Sequence, residues 1–215
     1  MQHTQYISTR GQMAAAEFTE VLLAGLAPDG GLAVPSRLPA LSSEQIEAWR
    51  PLGYAELATE VIGLFATDIP REDLAELTQA AYGPQRFPQP VVPVTWLDDV
   101  ADGLTLVGLS EGPTMAFKDL AMQFLGQAIP YVLAKHGQVL NILGATSGDT
   151  GSAAEHAFRG QEGVSVFMLS PAGRMSPVQR AQMYTLQDAN IHNIAVRGVF
   201  DDCQALVKAL SNDAE

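Results

Sequence analysis

Cysteine is nearly absent from this sequence. Its one thiol, Cys203, leaves no partner for an internal disulfide among the 215 residues. Positive charge is scarce as well. Twelve Lys and Arg stand against 24 Asp and Glu, a net charge of -12, and a surface of that sign repels nucleic acid and anionic membranes. No apolar run approaches the roughly 20 residues that a membrane-crossing helix needs. The basic, apolar and small-residue order of a secretory signal is missing from the start, so a soluble, cytoplasmic protein is expected. The histidines His3, His136, His156 and His192 show no paired ligand spacing, and no metal site is expected from them. Repeats and low-complexity tracts are missing too.

What is present changes texture near residue 90. Phe18, Val21, Leu22, Gly25 and Leu26 lie at helical spacing within Glu17 to Leu26, and the Pro28-Asp29-Gly30-Gly31 cluster then forces a turn. Ser42 with Gln45 makes a capping-box pair and Leu41 with Ile46 has the spacing of a hydrophobic staple, which predicts a helix from Ser43. Tyr54, Leu57, Ala58, Val61, Ile62 and Phe65 form a further apolar stripe. Leu74, Leu77 and Ala81 form another that closes at Gly83. Pro84, Pro88, Pro90 and Pro93 then suit an extended connector. The reading is a mainly helical domain over 1–90 and a second region over 91–215.

In the second region apolar runs alternate with helical segments. Leu104 to Leu109, Val139 to Leu143, Val164 to Leu169 and Ile191 to Val196 read as strands that are apolar on both faces. That pattern predicts an α/β fold with a parallel sheet flanked by helices. Ligands of such sheets bind beyond the carboxyl ends of the strands, in the loops that follow.

Three of those loops carry chemistry. Ser110 to Asp119 leads into a helix with Thr114 as its expected cap and Lys118 in its first turn. A cation at the positive end of a helix is disfavoured by up to about 1 kcal/mol, a field that lowers an amine's pKa and suits a Schiff-base lysine. A solvated surface lysine is the ordinary alternative, and the apolar neighbours Ala116, Phe117, Leu120 and Ala121 argue against full exposure.

Gly144 to Gly151, reading Gly-Ala-Thr-Ser-Gly-Asp-Thr-Gly, joins a strand to the small-residue helix start Ser152-Ala153-Ala154. It aims backbone N–H groups and hydroxyls at an anion, or else is a plain turn. Its spacing is neither GxGxxG nor GxxxxGK[ST], which counts against a dinucleotide or P-loop module. The third loop, Ser170 to Gln179, places Arg174 before a helix opened by a Ser176/Gln179 capping box with Pro177 at its first position. Arg174 is readable as an anion ligand or as a solvent-facing turn residue.

These segments carry a resemblance. GPTMAFKDLAMQ at Gly112 to Gln123 resembles the cofactor-lysine signature of the threonine synthase family, and GATSGDTGSAA at Gly144 to Ala154 resembles its second signature. YISTRG at Tyr6 to Gly11, GLAPDGGLAVP at Gly25 to Pro35, GRMSPVQ at Gly173 to Gln179 and FDDCQALVK at Phe200 to Lys208 extend the match in the family's order. The resemblance implies the tryptophan synthase β-like pyridoxal-phosphate fold, here in its amino-terminal portion. It also implies conversion of O-phospho-L-homoserine and water into L-threonine and phosphate.

By the same resemblance Lys118 is the catalytic lysine that carries pyridoxal 5'-phosphate, with Phe117 and Asp149 beside the cofactor. Asp149 stands where related enzymes place an asparagine near the phenolic oxygen. Thr146, Ser147, Gly148, Asp149 and Thr150 are implied to hold the substrate carboxylate, and Arg174 the leaving phosphate. Glu111 occupies a place where many members have histidine, so no imidazole role transfers. The loop that grips the cofactor phosphate lies beyond residue 215 in the family, which implies weak cofactor retention and little turnover by this chain alone. Two other readings stay open: a pyridoxal-phosphate lyase of the β-elimination or β-replacement type, and a silent metabolite-binding homologue. Cys203 reads as a small buried side chain rather than a nucleophile.

Overall fold

The computed structural model describes residues 3–211, and the chain divides into two units, Met1–Gly83 and Pro84–Glu215. In the first unit, Tyr6–Ser8 (β1) pairs antiparallel with Ala33–Pro35 (β2), Tyr6 opposite Pro35 and Ser8 opposite Ala33. This ribbon adds strands to the mainly helical expectation; strands of three residues are too short to show a period in the sequence. Asp29 ties its two halves together. Its carboxylate accepts from the Ser8 hydroxyl at 2.6 Å and from the Gln12 and Gly31 amides at 2.9 Å, and the Ser8 bond first of all holds its pKa below the usual carboxylate range.

Four helices follow the expected stripes: Phe18–Ala24 (α1), Ser43–Trp49 (α2), Tyr54–Gly63 (α3) and Arg71–Tyr82 (α4). The Ser42/Gln45 box is formed in both directions, Gln45 N–H to the Ser42 hydroxyl at 3.2 Å and Ser42 N–H to Gln45 Oε1 at 3.0 Å. Leu41 and Ile46 remain 44% and 46% exposed, so the expected staple buries little. α3 packs on α4 through an edge-on Tyr54–Tyr82 pair, centroids 5.0 Å apart, and through a 2.7 Å hydrogen bond between the Thr59 and Thr78 hydroxyls. Leu74, Ala81 and Ala66 fill the space beneath.

In the second unit, Val94–Trp96 (β3) and Thr105–Val107 (β4) form an antiparallel hairpin. This corrects the expectation that Leu104 to Leu109 joins the parallel sheet. The connection between β3 and β4 is an acidic turn in which Gly103 N–H donates to Asp98 Oδ1 at 3.2 Å, and a connection that short permits antiparallel pairing alone. Trp96, Leu106 and Val107 are 66%, 58% and 50% exposed, so the apolar run is not a buried sheet strand.

The other three expected strands make a parallel sheet in the order β5-β6-β7, with Leu140–Ala145 as β5, Val164–Pro171 as β6 and Ile191–Val196 as β7. Asp119–His136 (α5), Asp149–Phe158 (α6), Pro177–Tyr184 (α7) and Phe200–Ser211 (α8) alternate with them. β6 is the central strand and the most buried, with Val164, Val166, Met168 and Leu169 in the core. α6 packs on β6, α5 and α7, while α8 packs on β5 and β6 and buries Cys203 completely. The Asn190 side chain secures the α6–β6 turn by donating to the carbonyls of Phe158 and Val164 and accepting from Gly160 N–H. Among the described residues no helix is long and apolar enough to cross a membrane.

Candidate active site

The loop before α5 is built on Asp119. Its fully buried carboxylate accepts two bonds from Thr114, from the main-chain N–H and from the hydroxyl, each at 2.8 Å. Gly112 is required there, since a Cβ at that residue would stand 2.3 Å from the Asp119 Cβ. Thr114 is therefore not the helix cap that the sequence suggests. Lys118 is the N-cap, and its carbonyl accepts from the Met122 amide at 2.9 Å. The preceding residues are held in a tight turn by Thr114 and Asp119, so the helix starts one residue after the lysine rather than before it.

Lys118 is half-buried, with Nζ 4.7 Å from the centroid of the Phe117 ring. Among the described residues it has no carboxylate partner. Phe117 is 58% exposed and presents an aromatic surface beside this amine.

The glycine-rich loop is organised by Thr146, which is buried. Its hydroxyl oxygen accepts from Gly148 N–H at 3.0 Å and from Gly151 N–H at 2.8 Å. Those two amides are thereby used inside the loop, so Thr146 and Gly148 shape it. The main-chain N–H groups of Ser147, Asp149 and Thr150 have no acceptor among the described residues, and all three residues are exposed. They stand at the start of α6, where free N–H groups and the helix dipole favour an anion.

Gly148 has φ 147°, a conformation that L side chains rarely adopt, and a Cβ there would meet the Gln179 amide carbon at 2.3 Å. That close approach lets Gln179 reach the loop, and its Nε2 donates to Asp149 Oδ1. The capping box expected at α7 is thus half formed. Ser176 accepts from Gln179 N–H at 3.2 Å, but the Gln179 side chain turns to Asp149 and to the Ser176 hydroxyl instead of the Ser176 amide.

One turn further along α7, Gln182 Nε2 donates to the Thr114 carbonyl at 2.9 Å, so a single short helix holds the lysine loop and the glycine-rich loop. Neither glutamine carries a recognisable chemical motif. Their spacing of three on one face of the helix is the available signal. Arg174 lies on the exposed loop before α7 without a side-chain partner among the described residues.

Behind the loop, Glu155 of α6 is fully buried. Burial pushes its carboxyl up to about 7, opposed by a bond from Asn193 Nδ2, which donates to Oε2 at 3.2 Å. His156 Nε2 donates to the Gln182 carbonyl at 3.2 Å. His192 stacks on Phe167 with centroids 4.6 Å apart, and His3 lies 3.0 Å from Glu17.

Residues 5–82 match the family described as Threonine synthase N terminus. Threonine synthase of Corynebacterium glutamicum is 56% identical over 98% of this chain and 44% of its own length. The enzyme of Methylobacillus glycogenes is 52% identical over 97% and 45%. Among solved structures, pyridoxal-phosphate-bound threonine synthase from Brucella melitensis superposes with a TM-score of 0.89 at 42% identity, over 98% of this chain and 45% of that one. Yeast threonine synthase does so with a TM-score of 0.89 at 37% identity. The chain thus spans less than half the length of these relatives. Its fold is theirs over nearly every residue, and by sequence and structure together the chain belongs to the threonine synthase family, matching the amino-terminal portion of its members.

Proposed function

We propose that this chain serves a threonine synthase reaction, the conversion of O-phospho-L-homoserine and water into L-threonine and phosphate, with Lys118 holding pyridoxal 5'-phosphate in covalent linkage. In this reading residues 1–90 are the family's amino-terminal domain and 91–215 the first part of its catalytic region. The enzyme is a carbon-oxygen lyase acting on a phosphate, at work in the cytoplasm on a small-molecule substrate. The observation that carries the proposal is the tie made by α7 between the lysine loop and a glycine-rich loop with free N–H groups.

The residues present suit the cofactor. Lys118 is not committed to an ion pair, and the Phe117 ring beside it offers a face for an aromatic ring. Bound there, pyridoxal 5'-phosphate supplies the sink for electrons left when a proton departs from the substrate's Cα. Lys118 would hold the cofactor through its amine and, with substrate in place, would move protons at Cα and Cβ, work that suits a mobile amine.

The substrate carboxylate is held by the N–H groups of Ser147, Asp149 and Thr150 and by the neighbouring hydroxyls, in a loop whose shape Thr146 and Gly148 set. Fixing the carboxylate orients the Cα–H bond for removal. Asp149, kept in place by Gln179, would lie beside the bound cofactor, where a carboxylate would favour a protonated neighbouring group. Arg174 offers bidentate donors to the leaving phosphate. Addition of pyridoxal 5'-phosphate to the wild-type chain is expected to produce the visible absorption band of the lysine-bound cofactor. Lys118→Ala is expected to abolish the band; its persistence in that variant would remove the assignment.

A further inference from the structure

At the carboxyl end of β6 a cavity of about 370 Å³ opens between the following loop, α7 and the end of β7. Its walls are apolar where Pro171, Met175 and Ala195 line it. Its polar part is a pair of hydroxyls, Ser170 Oγ and Tyr184 Oη, 2.9 Å apart, together with Arg180, an exposed side chain at the rim. Ser170 is 1% exposed, so this hydroxyl is fixed at the floor. Among the described residues Arg180 has no acidic partner.

In a chain of net charge -12, a cation left without a counter-charge beside an apolar hollow marks where an anion is welcome. One guanidinium balances one negative charge and its planar fork matches a carboxylate. A dianionic phosphate would need a second cation, and the lining provides none. We propose that this cavity is a binding site for a small organic monocarboxylate with an apolar body, with Arg180 as its counter-charge and the Ser170–Tyr184 pair orienting it.

The position on α7 gives such binding a consequence. At about 100° per residue, Arg180 and Tyr184 lie roughly 130° round the helix from Gln179, Gln182 and Met183. The cavity and the two loops held by Gln179 and Gln182 therefore share α7 as a common wall, and occupancy on one side is felt on the other.

The test is a titration of the nitrogen-labelled chain, followed by amide correlation spectra, with isovalerate, isoamyl alcohol and inorganic phosphate as separate probes. Isovalerate is expected to give saturable shifts at Ala172, Gly173, Tyr184 and Ala195, and smaller ones at Gly148 and Met115. The alcohol, which has the same body without the charge, is expected to bind at least tenfold more weakly, as is isovalerate to Arg180→Gln. Tyr184→Phe, a milder change at the same wall, is expected to weaken isovalerate about threefold. Equal binding of alcohol and carboxylate, tighter binding of phosphate, or unaltered binding by a folded Arg180→Gln would overturn the site. Shifts confined to the cavity wall would overturn its coupling to the loops.

Discussion

The side-chain amide of Gln182 donates to the main-chain carbonyl of Thr114 at 2.9 Å, across 68 residues of chain. That carbonyl belongs to the same Thr114 whose N–H and hydroxyl grip Asp119. The loop bearing Lys118 is thus fastened at both ends of one residue, to its own helix and to α7.

Gln182→Ala removes the outer fastening and leaves the inner one. A bond of this kind contributes about 1 kcal/mol. Hydrogen exchange at Thr114 and Met115, whose N–H groups are bonded to Asp119 and to the Gly112 carbonyl, is therefore expected to quicken about fivefold, with no change in Tyr6–Ser8 or the helices of the first unit. Unaltered protection of those two amides would show that the bond does not restrain the loop.

Gly148→Ala places a methyl where Gln179 now lies, at a φ of 147°. The strain is expected to cost roughly 1–3 kcal/mol and to release the Gln179–Asp149 bond. Urea denaturation reads the loss. An alanine variant as stable as the wild type would mean that the loop has an easy alternative conformation.

The candidate site was half legible in the sequence, and the division has a physical basis. Helix ends written in local chemistry were readable: Ser42 with Gln45 caps α2 as expected, and Gly83 ends α4. The parallel pairing of β5, β6 and β7 followed from their apolar runs and the helices between them. β4 was misassigned because an apolar run does not state its partner, and its partner β3 begins directly after Pro93, where the proline cluster suggested a connector. Gln179 and Gln182 went unseen as site residues because their bonds reach residues 30 and 68 positions away. Glutamine has no motif of its own to announce such a bond.

Glu155 gives the second unit a pH dependence. Its carboxyl is raised from 4.5 to about 7 by burial, so between those values the folded chain holds a proton that the unfolded chain releases. Stability from this group is complete at low pH and falls as pH rises through that window, by about 3 kcal/mol in all. Glu155→Gln has no proton to lose. The difference in unfolding free energy between variant and wild type is expected to grow from about pH 4.5 to about pH 7 and then level off. A difference that stays constant with pH would mean that Glu155 ionises at an ordinary value.

Ser42→Ala is a control in the first unit. Loss of the cap is expected to cost about 1 kcal/mol of stability, read by the same denaturation, while cofactor binding at Lys118 stays as it is. A loss of cofactor binding in Ser42→Ala would show that α2 acts on the site.

The central claim concerns one amine among three lysines, Lys118, Lys135 and Lys208. Adding pyridoxal 5'-phosphate to the chain, reducing with borohydride and mapping the labelled peptide tests it most directly. The expected result is a label on the peptide containing Phe117 and Lys118, lost when Lys118 is replaced by alanine. A label spread evenly over the three lysines, or concentrated on Lys135 or Lys208, would contradict the account.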